Sequence, residues 1–473
     1  MPRPDSGHGD GQGGDRGGSF LRLVDAIDLV RLALPVAATR ASFLMMGLTD
    51  AIVLGRNQPG ELPFVLNAWL PLGIAMGFGI GLLTGVQVLT AELSGAGRAG
   101  ETGRVLRRGL AVGGLFGLAA MAVCMAVARP LIAAFGFDEH VVAATATCTR
   151  ILAYGLPVQM VFAATANSLE ALRRPGVVTA ISWGAVLLNA WLDVTWVPTH
   201  GSEGVAWATT LSRGAMAVAG LVAVAVFTPL FSVVGRADRG EFARQNRLGY
   251  GAALANVAEW GSFNLTHVFA SLVSLDAGTV WGIAVQVLGA VFMIAVGLGS
   301  ATAVRVAEHR GRGDSPGAAR AARLGMTVSL VIGMLLAAAI WGGRSWLAIH
   351  WLDAEGTADG ARLAPLLAAM LAATAPVTIF DGVQGVASMA LRAAGVVWAP
   401  TAIHAASYVA VMVPLCWWLA FPLGLGLWGV VIGVAIASIL AGVLQGVLLE
   451  WVLRYGRRPA PGDAPRSDAQ ALP

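Results

Sequence analysis

Charge is scarce in this sequence, and lysine is absent. Only 12% of the 473 residues are charged, and each of the 31 Lys-or-Arg positions is an arginine. Soluble chains carry about 25% charged residues, so a soluble protein is excluded. No basic helix interleaved with aromatic residues occurs, so no nucleic-acid partner is expected. The lack of lysine, with abundant alanine and glycine, is typical of a G+C-rich genome and indicates a bacterium.

Cysteine is also scarce. Cys124, Cys148 and Cys416 lie in separate apolar segments without CxxC spacing, so a disulfide, zinc site or iron–sulfur cluster is not expected. No His-rich constellation, Ser/His/Asp set or phosphate-binding loop is found, which makes a membrane-embedded enzyme the weakest of the functions considered. No cofactor is therefore expected, and no metal other than a coupling ion.

Long apolar stretches dominate what is present. Hydrophobic residues make up 56% of the chain, and a helix needs about 20 apolar residues to cross the bilayer. The sequence thus predicts an all-α integral membrane protein with twelve transmembrane helices. The predicted spans are 29–53, 64–93, 106–128, 142–170, 176–198, 203–228, 250–273, 279–304, 321–343, 364–390, 398–421 and 425–450.

The positions of arginine predict the orientation, because basic loops stay in the cytosol. With both termini cytosolic, 24 arginines lie on the cytosolic side, 4 lie outside and 3 lie within spans. The polar, Gly-rich first 20 residues have no apolar core before a cleavage site, so the first span is expected to be retained. We expect a multi-pass, monomeric protein of the cell's inner membrane.

The chain repeats itself with polar residues in the same order. Pro157–Val178 aligns with Pro376–Val397 without gaps, and Glu92, Gly95 and Gly97 recur 216 residues later. Two six-helix lobes in parallel repeat follow, with a cavity between them. The predicted parts are a disordered cytosolic N-tail (1–28), the N-lobe (29–229), a cytosolic linker (230–249), the C-lobe (250–453) and a disordered cytosolic C-tail (454–473).

Four carboxylates lie inside predicted spans. A charge at the bilayer centre costs about 2.5–3.5 kcal/mol and persists only where it faces a cavity, pairs or titrates. From the helical rise per residue, we predict that Asp50 and Asp193 lie at one depth, roughly 28 Å from the cytosolic boundary. Glu259 and Asp381 share another depth, roughly 16–18 Å. We therefore expect two level pairs of acids, one in each lobe.

The N-lobe pair is interpreted as a protonation site, since two close carboxylates can share one proton. Asn189 lies one turn before Asp193 and faces the same way, so it can orient either acid. The alternative is that Asp193 simply lies near the outer headgroups. For the C-lobe pair the alternative is a packing contact of the acids with Asn256 or Gln384.

Other polar residues within spans carry weaker hypotheses. Arg213 either neutralises an acid or snorkels to the surface, and Glu92 and Glu308 are expected to pair with Arg98 or Arg310 at the cytosolic ends. Several side chains are candidates for a cavity wall, with helix–helix contact as the alternative. These are Asn67, Gln87, Trp260, Asn264, Gln286, Met293 and Gln384.

A series of short motifs runs through residues 29–450. They are Pro35, Gly47–Asp50, Gly55, Glu92–Arg98, Pro157, Leu172-Arg173, Asn189, Asp193, Gly204–Ala206, Ala208-Thr209, Glu259, Phe263, Gln286-Val287, Phe292-Met293, Gly297, Arg305-Val306, Asp381, Gln384, Leu391-Arg392, Gly395 and Gly426–Gly429. In this order and spacing they resemble the multidrug and toxic compound extrusion (MATE) family. Asn189 with Asp193 looks like the DinF-type branch, and Glu259 with Asp381 like the NorM-type branch. The proline that usually opens the family's seventh span is missing from Leu248–Ala252.

The resemblance implies an antiporter that exports cationic or amphipathic organic compounds by alternating access, coupled to H⁺ or Na⁺ entry. It implies a site for a cation or a drug at Glu259 and Asp381, and sodium stays a candidate coupling ion there. The alternative within the same superfamily is a flippase for lipid-linked oligosaccharides, in which we would expect arginines to line the cavity. Most arginines of this chain instead lie at the cytosolic edge.

Overall fold

The chain folds entirely into helices over the residues that the structure, a computed structural model, describes. These are residues 13–134, 136–229, 239–352 and 356–455, with side chains described from Ile27 onward. The helices are α1 (Gly13–Asn57), α2 (Leu62–Leu82), α3 (Thr84–Gly95), α4 (Thr102–Ala133), α5 (Glu139–Ala153), α6 (Gly155–Ala171), α7 (Pro175–Phe227), α8 (Arg239–Val273), α9 (Leu275–Gly311), α10 (Ser315–Trp351), α11 (Ala358–Thr374), α12 (Val377–Ala393), α13 (Trp398–His404), α14 (Val413–Ala420) and α15 (Leu427–Tyr455). The segment Ala405–Met412 between α13 and α14 is π-helical.

Twelve membrane-spanning helices follow from these elements. Nine continuous stretches in the described residues are long and apolar enough to cross a membrane, and α11 with α12 forms a tenth that is bent by 44°. The 53-residue α7 is far longer than a bilayer is thick, so it spans twice. Helix α8 is 35 residues long but less apolar, because it carries polar side chains of the sites described below.

The two spans within α7 are separated at Gly201. Its backbone dihedral angles (φ 53°, ψ −132°) lie in a region that only glycine adopts without steric strain. The Glu61 carboxylate receives hydrogen bonds from the backbone N–H and the hydroxyl of Ser202, each 2.7 Å long. The loop after α1 therefore caps the second arm of α7 at the break.

The internal repeat appears in the backbone as well as in the sequence. Gly97 and Gly313, which the repeat aligns, both have φ of 74°. Gly201 and Gly426 have φ of 53° and 55°. Equivalent turns therefore end equivalent spans in the two lobes, as expected for a parallel repeat.

The two lobes meet through α1 against α9, α2 against α8, and α3 against α9. The first two contacts are interchanged by the repeat, as a pseudo-two-fold axis requires. On the arginine-rich side one apolar core is common to both lobes. On the opposite side the cores are separate, one in the N-lobe and one in the C-lobe. The lobes are thus in contact on the arginine-rich side and separated on the opposite side.

The domain boundaries stay predictions. Helix α1 begins at Gly13, so part of the segment predicted to be a disordered tail is helical, and residues 1–12 lie outside the described residues. Helix α8 begins at Arg239 within the predicted linker, of which residues 230–238 lie outside the description. The tail after Tyr455 also lies outside it.

Candidate ion and substrate sites

The N-lobe site is built around Asp50 on α1. Its Oδ1 receives a 3.1 Å hydrogen bond from the Asn189 side-chain amide, and its Oδ2 receives a 2.9 Å bond from the Thr209 hydroxyl. Asn189 and Thr209 come from the two arms of α7, on either side of the Gly201 break. The break therefore brings both donors to one carboxylate.

Asp193 completes this site. Its side chain is fully buried. It lies one helical turn after Asn189, whose amide donates to Asp50, so both carboxyls belong to one buried site. In the described part of the chain, neither oxygen of Asp193 has a hydrogen-bond donor. Two neighbouring carboxyls can hydrogen-bond to each other only if one carries a proton, so this site suits a shared proton, and its role stays a prediction.

Arg213 lies on the second arm of α7, close to this pair. Its guanidinium stacks on the indole of Trp69, with Cζ 4.8 Å from the ring centroid. The side chain is 4% exposed, so it does not snorkel to the surface. Thr209, which donates to Asp50, lies one helical turn before it.

The C-lobe pair lies on α8 and α12. Glu259 receives a 3.0 Å hydrogen bond from the Gln384 amide, and its second oxygen is 3.5 Å from Nε2 of His404. The hydroxyl of Tyr408 approaches Asp381 at 3.5 Å. The contact with Gln384 is one that the packing alternative named, whereas Asn256 donates to the carbonyl of Gly77 on α2.

Both C-lobe acids open onto a cavity of about 420 Å³ between α8, α9 and α12. Four residues predicted for a cavity wall line it, namely Trp260, Asn264, Gln286 and Met293. The remaining lining residues are Phe263, His267, Gly282, Val285, Leu288, Gly289 and Phe292. Aromatic rings and two carboxylates in one concave space can hold an organic cation.

The other predicted wall residues lie elsewhere. Gln384 is fully buried behind Glu259, and Asn67 is half-buried on α2. Gln87 is buried between the lobes, where its amide donates to Glu170 (3.0 Å) and to Ser300 of α9 (2.6 Å). The parts that these residues play in transport stay predictions.

Sequence reasoning missed two residues. Glu170 is buried with Arg40 3.6 Å away, and it stands at the last position of the predicted span 142–170, where a carboxylate gives no signal of burial. Tyr408, whose hydroxyl approaches Asp381, lies in the π-helical segment that follows His404. Such π segments often occur at functional sites, but no sequence signal marks this one.

The prediction for Glu92 and Glu308 is wrong in its partners. Glu92 of α3 accepts hydrogen bonds of 3.0 and 2.6 Å from Arg244 of α8. Glu308 of α9 accepts bonds of 2.8 and 2.6 Å from Arg173, which follows α6. Both glutamates therefore join the two halves of the molecule. On the closed, arginine-rich side, Arg244 and Arg173 lie closer to these glutamates than do Arg98 and Arg310 of the glutamates' own loops.

Comparison with known proteins identifies the family of this two-lobe molecule. The sequence pattern of the MatE family matches residues 35–195 and 252–418, one block in each lobe. The chain belongs to the MatE family. It is 36% identical to a probable multidrug resistance protein NorM of Caulobacter vibrioides over 87% of this chain and 88% of that protein. A protein of the same description from Pseudomonas aeruginosa is 28% identical over 91% and 90%.

Solved structures share the fold of this MatE chain. The eukaryotic MATE transporter AtDTX14 superposes with a TM-score of 0.79 at 17% identity, over 91% of this chain and 96% of that one. An outward-facing multidrug resistance MATE family transporter of the MOP superfamily gives 0.81 at 17% identity, with the same coverage. These likenesses establish twelve helices in two six-helix lobes.

Proposed function

We propose that this MatE protein is a proton-coupled antiporter that exports cationic or amphipathic organic compounds. The observation that carries the proposal is the separation of two acid sites. The buried acids Asp50 and Asp193 lie in one site of the N-lobe, and an acid-lined cavity lies in the C-lobe. The names of the relatives, probable multidrug resistance proteins, agree with this cargo.

The chemistry of the cavity supports organic cations as cargo. Its volume falls in the range that drug-sized ligands occupy. Trp260, Phe263 and Phe292 offer aromatic surface, while Glu259 and Asp381 offer negative charge. No arginine is among the residues that line it, which argues against a flippase for lipid-linked oligosaccharides.

The contacts between the lobes support alternating access. The arginine-rich side is closed by a common apolar core and by Glu92–Arg244 and Glu308–Arg173. An opening on that side has to break all of these contacts, while the separate cores on the opposite side come together. We place the closed side and both termini in the cytosol, and the protein in the inner membrane.

Proton coupling is favoured over sodium coupling by the N-lobe pair. Two buried neighbouring carboxyls such as Asp50 and Asp193 can share one proton, and proton exchange there can bias the lobe conformation. Sodium at Glu259 and Asp381 is the alternative, because amide and carboxylate oxygens are also ligands for hard cations.

Transport into proteoliposomes tests the proposal. Purified protein is reconstituted without sodium, and accumulation of the fluorescent cation ethidium is followed after a pH gradient is imposed. We expect ethidium to enter the vesicles in exchange for protons that leave down their gradient. This uptake should be lost with a protonophore and in Asp50→Asn. Transport that requires a sodium gradient and ignores the protonophore would show that protons are not the coupling ion.

A further inference from the structure

Arg213 has a buried charge whose hydrogen-bonding capacity is not used. Its Nε and Nη1 lack an acceptor among the described residues. Its guanidinium rests on the face of Trp69, which attracts a cation but accepts no ordinary N–H hydrogen bond. A buried guanidinium with free donors is costly, so a second position with carboxylate acceptors would be favourable.

The side chain of Arg213 passes beside Gly155, where α6 begins. A methyl group added at Gly155 would lie 3.4 Å from Cδ and 3.5 Å from Nη1 of Arg213. Those distances are ordinary van der Waals contact, so a glycine at this position leaves the guanidinium uncrowded on that side. The stem of Arg213 lies among α2, α6 and α7.

Carboxylate acceptors lie one helical turn away. Thr209, four residues before Arg213 on the same arm and hence on the same face, donates to Asp50. While Asp50 and Asp193 share a proton, they carry one negative charge between them. Loss of that proton leaves two negative charges and frees a carboxylate acceptor.

Other ionisable groups near this arm are engaged or face away. Glu61 caps Ser202 at the helix break. Glu170 and Arg40 face each other toward the arginine-rich side. Arg150 on α5 is exposed. Arg213 is thus the cation placed to respond to the charge of the N-lobe pair.

We propose that Arg213 is a positioning residue for proton release, an internal counter-charge that replaces the proton lost from Asp50 and Asp193. It rests on Trp69 while the pair holds the proton and turns its free N–H donors toward the carboxylates when the proton leaves. Without this cation, the pair holds its proton too tightly to release it at neutral pH. The inference rests on the proposed function, because it assumes a protonation site at the pair.

Infrared titration of the purified protein tests this. The carboxylic acid C=O band that Asp50→Asn removes is followed as a function of pH. In Arg213→Gln we expect its midpoint to rise by at least about one pH unit, the effect of a unit charge roughly 10 Å away at an effective dielectric of about 20. Arg213→Met, which keeps the stem on Trp69 without the charge, should give the same rise. Arg213→Lys should stay near the wild type, and so should Arg150→Gln, the matched change at an exposed arginine.

The possible results distinguish the proposed proton site from the proposed role of Arg213. A wild-type protein with no titrating band that depends on Asp50 contradicts the proposed proton site itself. A wild-type band with the same midpoint in both neutral variants overturns the role of Arg213 alone. Ethidium affinity should change less than twofold in Arg213→Gln, because the C-lobe cavity is separate. A large loss of affinity together with an unmoved midpoint would indicate a structural role only.

Discussion

Gly95 and Gly311, which the internal repeat aligns, each lie against the backbone of the opposite half of the molecule. A Cβ at Gly95 would collide with the carbonyl of Glu308, and one at Gly311 would collide with the carbonyl of Glu92. The two contacts are therefore reciprocal. Backbone-to-backbone contact leaves no flexible atom that can move aside, so these glycines determine how closely α3 and α9 approach.

Gly95→Ala and Gly311→Ala should each reduce ethidium transport strongly, because the lobes can no longer close on the arginine-rich side. Gly100→Ala is the matched control, since no atom lies within 4 Å of a Cβ at that position. Transport by the three variants is compared at equal protein in proteoliposomes. Wild-type rates in Gly95→Ala would contradict the idea that this contact forms during the cycle.

The salt bridge between Glu92 and Arg244 should matter less than the glycines. The two side chains are 22% and 40% exposed, and such pairs contribute about 0.2–1 kcal/mol. Glu92→Gln should therefore shift the balance between the closed and open states by no more than about fivefold. The charge exchange Glu92→Arg with Arg244→Glu should recover most of the wild-type transport. A double variant that is no better than either single variant would argue against a direct pairing.

Much of this arrangement could be predicted from the sequence, for identifiable reasons. Helix rise alone predicted one depth for Asp50 and Asp193, because both positions could be counted from an arginine at a membrane boundary. The same counting could not find the partner of Glu92. Ion pairs across the lobes depend on which side of the molecule is closed, and no local pattern records that.

Local irregularities of the helices account for the remaining differences. Tyr408 approaches Asp381 from a π-helical segment, which shifts the side-chain register away from the regular helical period. Helix α8 carries Glu259, Asn264 and His267 on its cavity side. Its low hydropathy thus reflects the polar residues that line the cavity, and in this case the polar pattern itself marked the candidate site.

The hydrogen bonds to Asp50 should hold the proton site in place. Removing one donor to a buried carboxylate costs about 1.5–3 kcal/mol, so Asn189→Ala and Thr209→Val should each shift the pH dependence of ethidium uptake toward alkaline pH. The sign follows because each donor stabilises the charged form. Uptake is measured over a series of internal pH values. Thr195→Val is the control, since its hydroxyl bonds only to its own helix.

The two acid sites should be separable by substitution. Asp381→Asn removes a charge from the cavity without changing its size, so ethidium should bind at least tenfold more weakly and export should stop. Glu259→Gln should behave in the same way, and the double variant should be no worse than either single one if the acids act as a unit. Asp50→Asn should instead leave ethidium affinity within about twofold and abolish only the response to a pH gradient. Affinity is measured by fluorescence of purified protein, and coupling is measured in proteoliposomes. Loss of ethidium binding in Asp50→Asn would mean that drug and proton meet at one site, and the division between the lobes proposed above would be wrong.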